Sequence, residues 1–160
     1  MLTIIQNYSL ADIKNSISYL LQKSALDEGV RQLAVNISHN KPNPIAAVYD
    51  WIKANVNYVR DPVRDGNEIE LFISPARMVS DYSKGIPCAG DCDDLALLAV
   101  ALYRSIGIKS NVVILDTRGQ GLDHAVAQAY SDIAKKYIIV DSASQYPLGW
   151  EEEYFNKVEV

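Results

Sequence analysis

Residues 90–107 open with Gly90-Asp91-Cys92-Asp93-Asp94-Leu95-Ala96-Leu97-Leu98, continue as an apolar run, and stop at Gly107. Leu95, Leu98, Ala99 and Leu102 recur at three- and four-residue spacing, the period of one helix face, and a glycine is a frequent stop just past a helix end. This spacing predicts a helix from about Asp91 to Ile106, with Cys92 at its amino-terminal end. The first N–H groups of a helix have no intrahelical acceptor, and the helix dipole favours negative charge there. A cysteine at that place is biased toward thiolate, its nucleophilic form. The same N–H groups can receive an oxyanion during acyl transfer. Asp91, Asp93 and Asp94 would oppose a thiolate if they faced it; they are expected instead to cap the helix or bond the preceding loop. The competing reading of Cys92 is a small buried hydrophobe.

Working downstream, three segments read as strands: Asn111 to Leu115, His124 to Ser131, and Lys135 to Asp141. Their connections are short, which suggests an antiparallel meander. The first connection, 116–123, holds Gly119, Gln120 and Gly121 and is expected to be flexible. His124 begins a strand just past it, a suitable place for a base facing a cleft. His39, the other histidine, lies between a helical stretch and a proline-containing turn and reads as exposed and non-catalytic. Asp141 follows His124 by 17 residues and ends the run Tyr137-Ile138-Ile139-Val140. A hairpin centred on position 132.5 sets residue 141 opposite His124, where a carboxylate fixes the tautomer and orientation of an imidazole. The plainer alternatives are a surface or core histidine and a turn aspartate bonded to its own backbone.

Working upstream, the chain reads as helical. Ser9 is a plausible cap for a helix carrying Leu10, Ile13, Ile17, Leu20 and Leu21. A second helix starts near Asp27. Asn43-Pro44 opens a third, with Ile45, Val48, Trp51, Ile52 and Val56 on one side. Residues 58–73 read as extended or irregular, with turns at Asp61-Pro62 and Asp65-Gly66. Ser74-Pro75 opens a short helix, and Gly85, Pro87 and Gly90 mark a tight loop. The order of helices, a central helix and then a sheet is an α+β arrangement. A single domain over residues 1–160 is expected, with a helical part at 1–57, a core at about 45–145 and a tail at 146–160. The tail has no assigned place; its Tyr146, Trp150, Tyr154 and Phe155 could form a binding lip, or could pack the tail onto the core.

Composition narrows the function classes. Of 160 residues, 49% are apolar and 22% charged, an ordinary globular balance. The net charge of −5, with no Lys/Arg stripe, argues against nucleic acid and anionic lipid as partners. No apolar run approaches the ~20 residues of a membrane helix, and the amino terminus lacks the pattern of a secretory signal. A cytoplasmic location is the simple expectation. Two cysteines make no disulfide framework. Cys88 is read as structural; a Cys88–Cys92 redox pair is the rival, with a spacing longer than that of thioredoxin-like motifs.

The run Gly90 to Leu98 with Leu102 and Gly107, the segment Asp123-His124-Ala125-Val126, and the segment Tyr137 to Asp141 together resemble the nucleophile helix, histidine strand and aspartate strand of the transglutaminase-like superfamily. Trp51-Ile52, Val56, Tyr58 and Ser74-Pro75 resemble what precedes the nucleophile in small prokaryotic and phage-borne members. The resemblance covers roughly residues 45–145. It implies a papain-like core with the cysteine helix packed on an antiparallel sheet, and a triad of Cys92, His124 and Asp141. For a phage-borne member it also admits a virion-associated location.

On this reading the chain performs thiol-dependent acyl transfer on a peptide or protein substrate, with hydrolysis favoured over transamidation. It calls for no cofactor and no metal, since nothing resembles the calcium sites of the large animal enzymes. The acidic cluster could suggest a cation site, but helix capping explains it more simply. Side chains that could complete an oxyanion hole or contact substrate are Asp91, Tyr82, Trp51 and Gln128. The alternatives are a cross-linking transferase and a non-catalytic binding or assembly module retaining the fold.

Overall fold

The computed structural model describes residues 2–5, 8–64 and 66–160. The elements run β1 (Leu2–Ile5), α1 (Leu10–Ser24), α2 (Glu28–Ser38), α3 (Pro44–Asn55), β2 (Val56–Tyr58), β3 (Val63–Arg64), β4 (Asn67–Glu68), β5 (Glu70–Ile73), α4 (Pro75–Ser83), β6 (Cys88–Gly90), α5 (Cys92–Ser105), β7 (Ser110–Asp116), β8 (His124–Ser131), β9 (Lys136–Val140) and β10 (Asn156–Glu159). Each helix starts where a capping side chain allows. Ser9, Asp27, Asn43, Ser74 and Asp91 accept the N–H groups of Asp12, Val30, Ala46, Arg77 and Asp93, respectively. Such caps satisfy donors that the first turn leaves without partners.

Helix α5 is the centre of the molecule. Asp93 through Tyr103 are all buried, so the helix is enclosed on every side and not along one face as the spacing alone suggests. Helices α1 to α4 pack against it, and β7 and β8 lie along it. On β8 the residues in its core are alanines, Ala125, Ala127 and Ala129, which let the helix backbone come close to the sheet. The Tyr103 hydroxyl donates to the Ile45 carbonyl (2.9 Å), giving the buried phenol a partner.

The main sheet has the order β10-β7-β8-β9 and is antiparallel throughout. This is the α+β arrangement expected, with the meander where the strand pattern puts it. Three features differ from the sequence reading. First, the tail supplies β10, which pairs with β7 (Val158 opposite Ile114) and forms one edge of the sheet. Second, Cys88–Gly90 is not only loop: it pairs in parallel with β2, Tyr58 opposite Gly90. Third, β1 pairs with β5, Thr3 opposite Phe72. Each of these pairings joins segments far apart in the chain, which local periodicity does not reveal. Of the turns expected in 58–73, Asp65-Gly66 falls partly outside the described residues, at Asp65. Among the described residues no helix is long and apolar enough to cross a membrane.

Candidate active site

Cys92 is the first residue of α5 and is half-buried. What holds it there is a set of bonds made by its acidic neighbours. The Asp91 carboxylate accepts the Asp93 N–H (3.2 Å). Asp94 Oδ2 accepts the Asp91 N–H (3.3 Å), and Asp94 Oδ1 accepts the Ile73 N–H (2.6 Å), tying the helix start to β5. Gly90 completes the fit: a Cβ there would stand 2.6 Å from Asp94 Cβ, closer than atoms can pack. The expected capping role of Asp91 and Asp94 is therefore what the structure shows.

Burial pushes the Asp94 carboxyl up to about 8, against the two N–H donors that favour its ionised form. Asp93 is also raised well above the usual carboxylate range, by burial first and then by neighbouring Asp91 and Glu70. One carboxylate oxygen from each of Asp91, Asp93 and Asp94 lies within 4.8 Å of the others, so these residues could hold a hard cation.

His124 and Asp141 meet at one end of the sheet. His124 Nε2 lies 2.8 Å from Asp141 Oδ2. Asp141 is 5% exposed; its other oxygen accepts the N–H groups of Ala143 and Ser144, both at 3.2 Å. Lys53, on α3, donates to the carbonyls of Ser142 and Ser144, fixing the turn behind the carboxylate. The second hydrogen-bonding side chain on His124 is Cys92. Burial lowers the basicity of His124, but Asp141 and Cys92 outweigh it, and the imidazole is raised to about 10. The structure thus brings Cys92, His124 and Asp141 into contact.

The hairpin register that joins the last two is not the one expected. Ala127 pairs with Val140 and Ser131 with Lys136, so the turn is 132–135 and the pairing is centred on 133.5. Lys135 accommodates that four-residue turn by a positive φ of 56°. Asp141 consequently lies diagonal to His124 and not opposite it. The discrepancy moves the partner by two residues, which preserves the face; a slip of one would have sent the carboxylate to the other side of the sheet.

The loop ahead of His124 is also more constrained than its glycines suggest. Asp116 Oδ1 accepts three successive N–H groups, Arg118, Gly119 and Gln120. Asp123 accepts from Thr117 N–H (2.8 Å) and from Arg118 Nε (2.6 Å).

A cleft of about 810 Å³ lies alongside, lined by Asp91, Asp93, His124 and Asp141 among others. Trp51, Tyr82 and Gln128, considered above as site side chains, are not among its lining residues. Gln128 lies four residues along β8 from His124, roughly 13 Å at strand spacing, and its amide donates to Asn111 (2.9 Å) across the sheet. Trp51 and Tyr82 pack edge to face, centroids 4.9 Å apart. Tyr58, which the sequence offered only as part of the resemblance and not as a site residue, lines the cleft. Its phenol is raised by burial and then by the nearby negative charge of Cys92 and Asp91. Only the β2–β6 pairing brings it there. Cys88 is buried, its thiol donating to the Met78 carbonyl (3.0 Å) and raised by burial, consistent with a structural role. In the tail, Tyr146 and Trp150 stack at 4.1 Å, while Phe155 remains 76% exposed.

A cysteine at a helix start in contact with a histidine, on a helix packed against an antiparallel sheet, defines a papain-like class of protein. Residues 30–142 match the transglutaminase-like superfamily, and the chain belongs to it. Among solved structures, a candidate cysteine protease from Cytophaga hutchinsonii is similar over 98% of this chain and 54% of its own (TM-score 0.58, 20% identity). A candidate protease from Parabacteroides distasonis is similar over 82% of this chain and 26% of its own (TM-score 0.54, 14% identity). Calcium-bound LapG from Legionella pneumophila is similar over 82% of this chain and 74% of its own (TM-score 0.52, 19% identity). At these identities the likeness is one of fold, and the chain spans about half or less of the first two proteins. No curated protein matches the chain.

Proposed function

We propose that the chain is a cysteine hydrolase of peptide or amide bonds, with Cys92 as nucleophile, His124 as acid and base, and Asp141 orienting the imidazole. The observation that carries this reading is the 2.8 Å contact between His124 Nε2 and Asp141 Oδ2, made by an imidazole whose other side-chain partner is the thiol. With its basicity raised to about 10, His124 holds a proton at neutral pH, and the proposed attacking form of Cys92 is the thiolate that pairs with it.

The thiolate attacks the amide carbonyl, forming the C–S bond and an oxyanion. The Cys92 N–H, in the first turn of α5, faces that charge. His124 gives its proton to the departing amine as the C–N bond breaks. Neutral His124 then takes a proton from water; the oxygen attacks the thioester, the C–S bond breaks, and the ion pair is restored. His124 retains 20% of its side-chain surface exposed, so water can reach the base, as hydrolysis requires.

Incubation of unfolded casein with the protein in H₂¹⁸O, with a dansylated alkylamine present, separates the outcomes by mass. Fragments carrying ¹⁸O, lost in Cys92→Ala, support hydrolysis. Amine adducts without cleavage would make the protein a transferase, and neither product would leave a binding module.

A further inference from the structure

The lining of the cleft beside Cys92 is rich in carboxylates. Two of its charged groups are matched within it: Asp123 with Arg118 (2.6 Å) and Asp141 with His124 (2.8 Å). Asp61 accepts the Leu71 N–H (2.5 Å). Glu70, Asp91, Asp93 and Glu152 also line the cleft, and among the described lining residues Arg60 is the further cation. Asp93 is 7% exposed, and its Oδ1 is buried with no hydrogen-bond partner. A buried carboxyl oxygen without a donor is costly, and a donor brought by a substrate would satisfy it. Leu10, Ile13 and Leu122 line the same cleft and offer apolar surface. Carboxylates beside aliphatic surface complement a side chain with an apolar stem and a charged head, as in lysine and arginine.

We propose that the cleft selects substrates bearing a cationic side chain next to the attacked bond, with Glu70 receiving the charged group and the buried Asp93 offering its Oδ1 as a hydrogen-bond acceptor. This rests on reading the cleft as the substrate site, and it adds the chemical class that the site accepts. Electrostatic attraction in a partly enclosed cleft raises the local concentration of such a group and speeds its capture.

The test needs no turnover. In a Cys88→Ala background, Cys92 is modified with 2-(trimethylammonium)ethyl or 2-sulfonatoethyl methanethiosulfonate, each rate normalised to free cysteine. The cationic reagent is expected to be favoured by about tenfold or more, and the preference should fall below about threefold in Glu70→Gln. In parallel, pentalysine, but not pentaglutamate or pentaglutamine, should protect Cys92 from iodoacetamide, and Glu70→Gln should weaken that protection. Equal rates for the two reagents, or protection by pentaglutamate, would overturn the proposal. So would calcium chloride that saturably abolishes both effects, because the carboxylates would then belong to a divalent cation. These rates report modification of Cys92 and not cleavage, so a failed charge preference and a failed catalytic reading remain separate results.

Discussion

His124 Nε2 lies 2.8 Å from Asp141 Oδ2, so Nδ1 is the ring nitrogen left for the Cys92 thiol. The carboxylate is held from behind by Ala143 and Ser144 N–H groups and cannot swing away without losing them. Asp141→Ala removes the orienting acceptor and is expected to lower kcat/KM by about 10²- to 10⁴-fold. Asp141→Asn keeps a carbonyl acceptor and should lose less. Steady-state kinetics on a cleaved peptide would decide, and unchanged kcat/KM in Asp141→Ala would remove Asp141 from the mechanism.

An imidazolium–thiolate pair keeps its thiolate at mildly acidic pH, where an isolated cysteine is almost wholly thiol. Alkylation of Cys92 by iodoacetamide at pH 6 should therefore be fast in the native protein and slower by about tenfold or more in His124→Ala. Cys88→Ala should not alter the rate, since Cys88 is buried and donates to Met78. Peptide mapping of the labelled protein provides the measurement.

His124 also sets a pH dependence of stability. Its folded basicity is raised to about 10 from an ordinary value of 6.5, so the folded state binds the proton more tightly than the unfolded one. The stabilisation is complete below about pH 6.5 and is lost as pH rises toward 10. Thermal unfolding between pH 6 and pH 10 should show wild type losing Tm across that window more steeply than His124→Ala. Parallel curves would contradict the assignment.

The junction of Gly90 and Asp94 is a packing constraint with a predictable cost. Asp94→Ala leaves the partly buried N–H groups of Ile73 and Asp91 without their acceptor, at a cost of about 1 kcal/mol for each donor. Gly90→Ala forces a Cβ to within 2.6 Å of Asp94 and should cost about 1–3 kcal/mol as overpacking. Both should also slow Cys92 alkylation, because they displace the start of α5. Urea unfolding gives the stabilities; variants as stable as wild type would show that the junction is more tolerant than its geometry implies.

Charge in the cleft offers a kinetic check independent of the labelling experiment. If Glu152 contributes to an acidic approach, Glu152→Lys should reduce kcat/KM for a lysine-containing peptide more than for its norleucine analogue, with the difference shrinking at high salt. Equal losses for the two peptides would deny Glu152 a part in selection.

The sequence alone determined what is local. Glycine, aspartate and cysteine at the head of a strongly apolar run specify a capped helix with a thiol in its first turn. Alternation and short turns specify a meander carrying His124 and leading to Asp141. Even a register misjudged by two residues left the imidazole and carboxylate on one face, because strand faces repeat every two residues. Tertiary structure decided what depends on pairing distant segments: Tyr58 beside Gly90 through β2 and β6, β10 against β7, and Asp94 bound to Ile73 across 21 residues. It also decided which acidic residues face the cleft, and that Gln128 bonds Asn111 instead. Local periodicity carries no record of such contacts, because their partners are fixed only when the chain closes on its core.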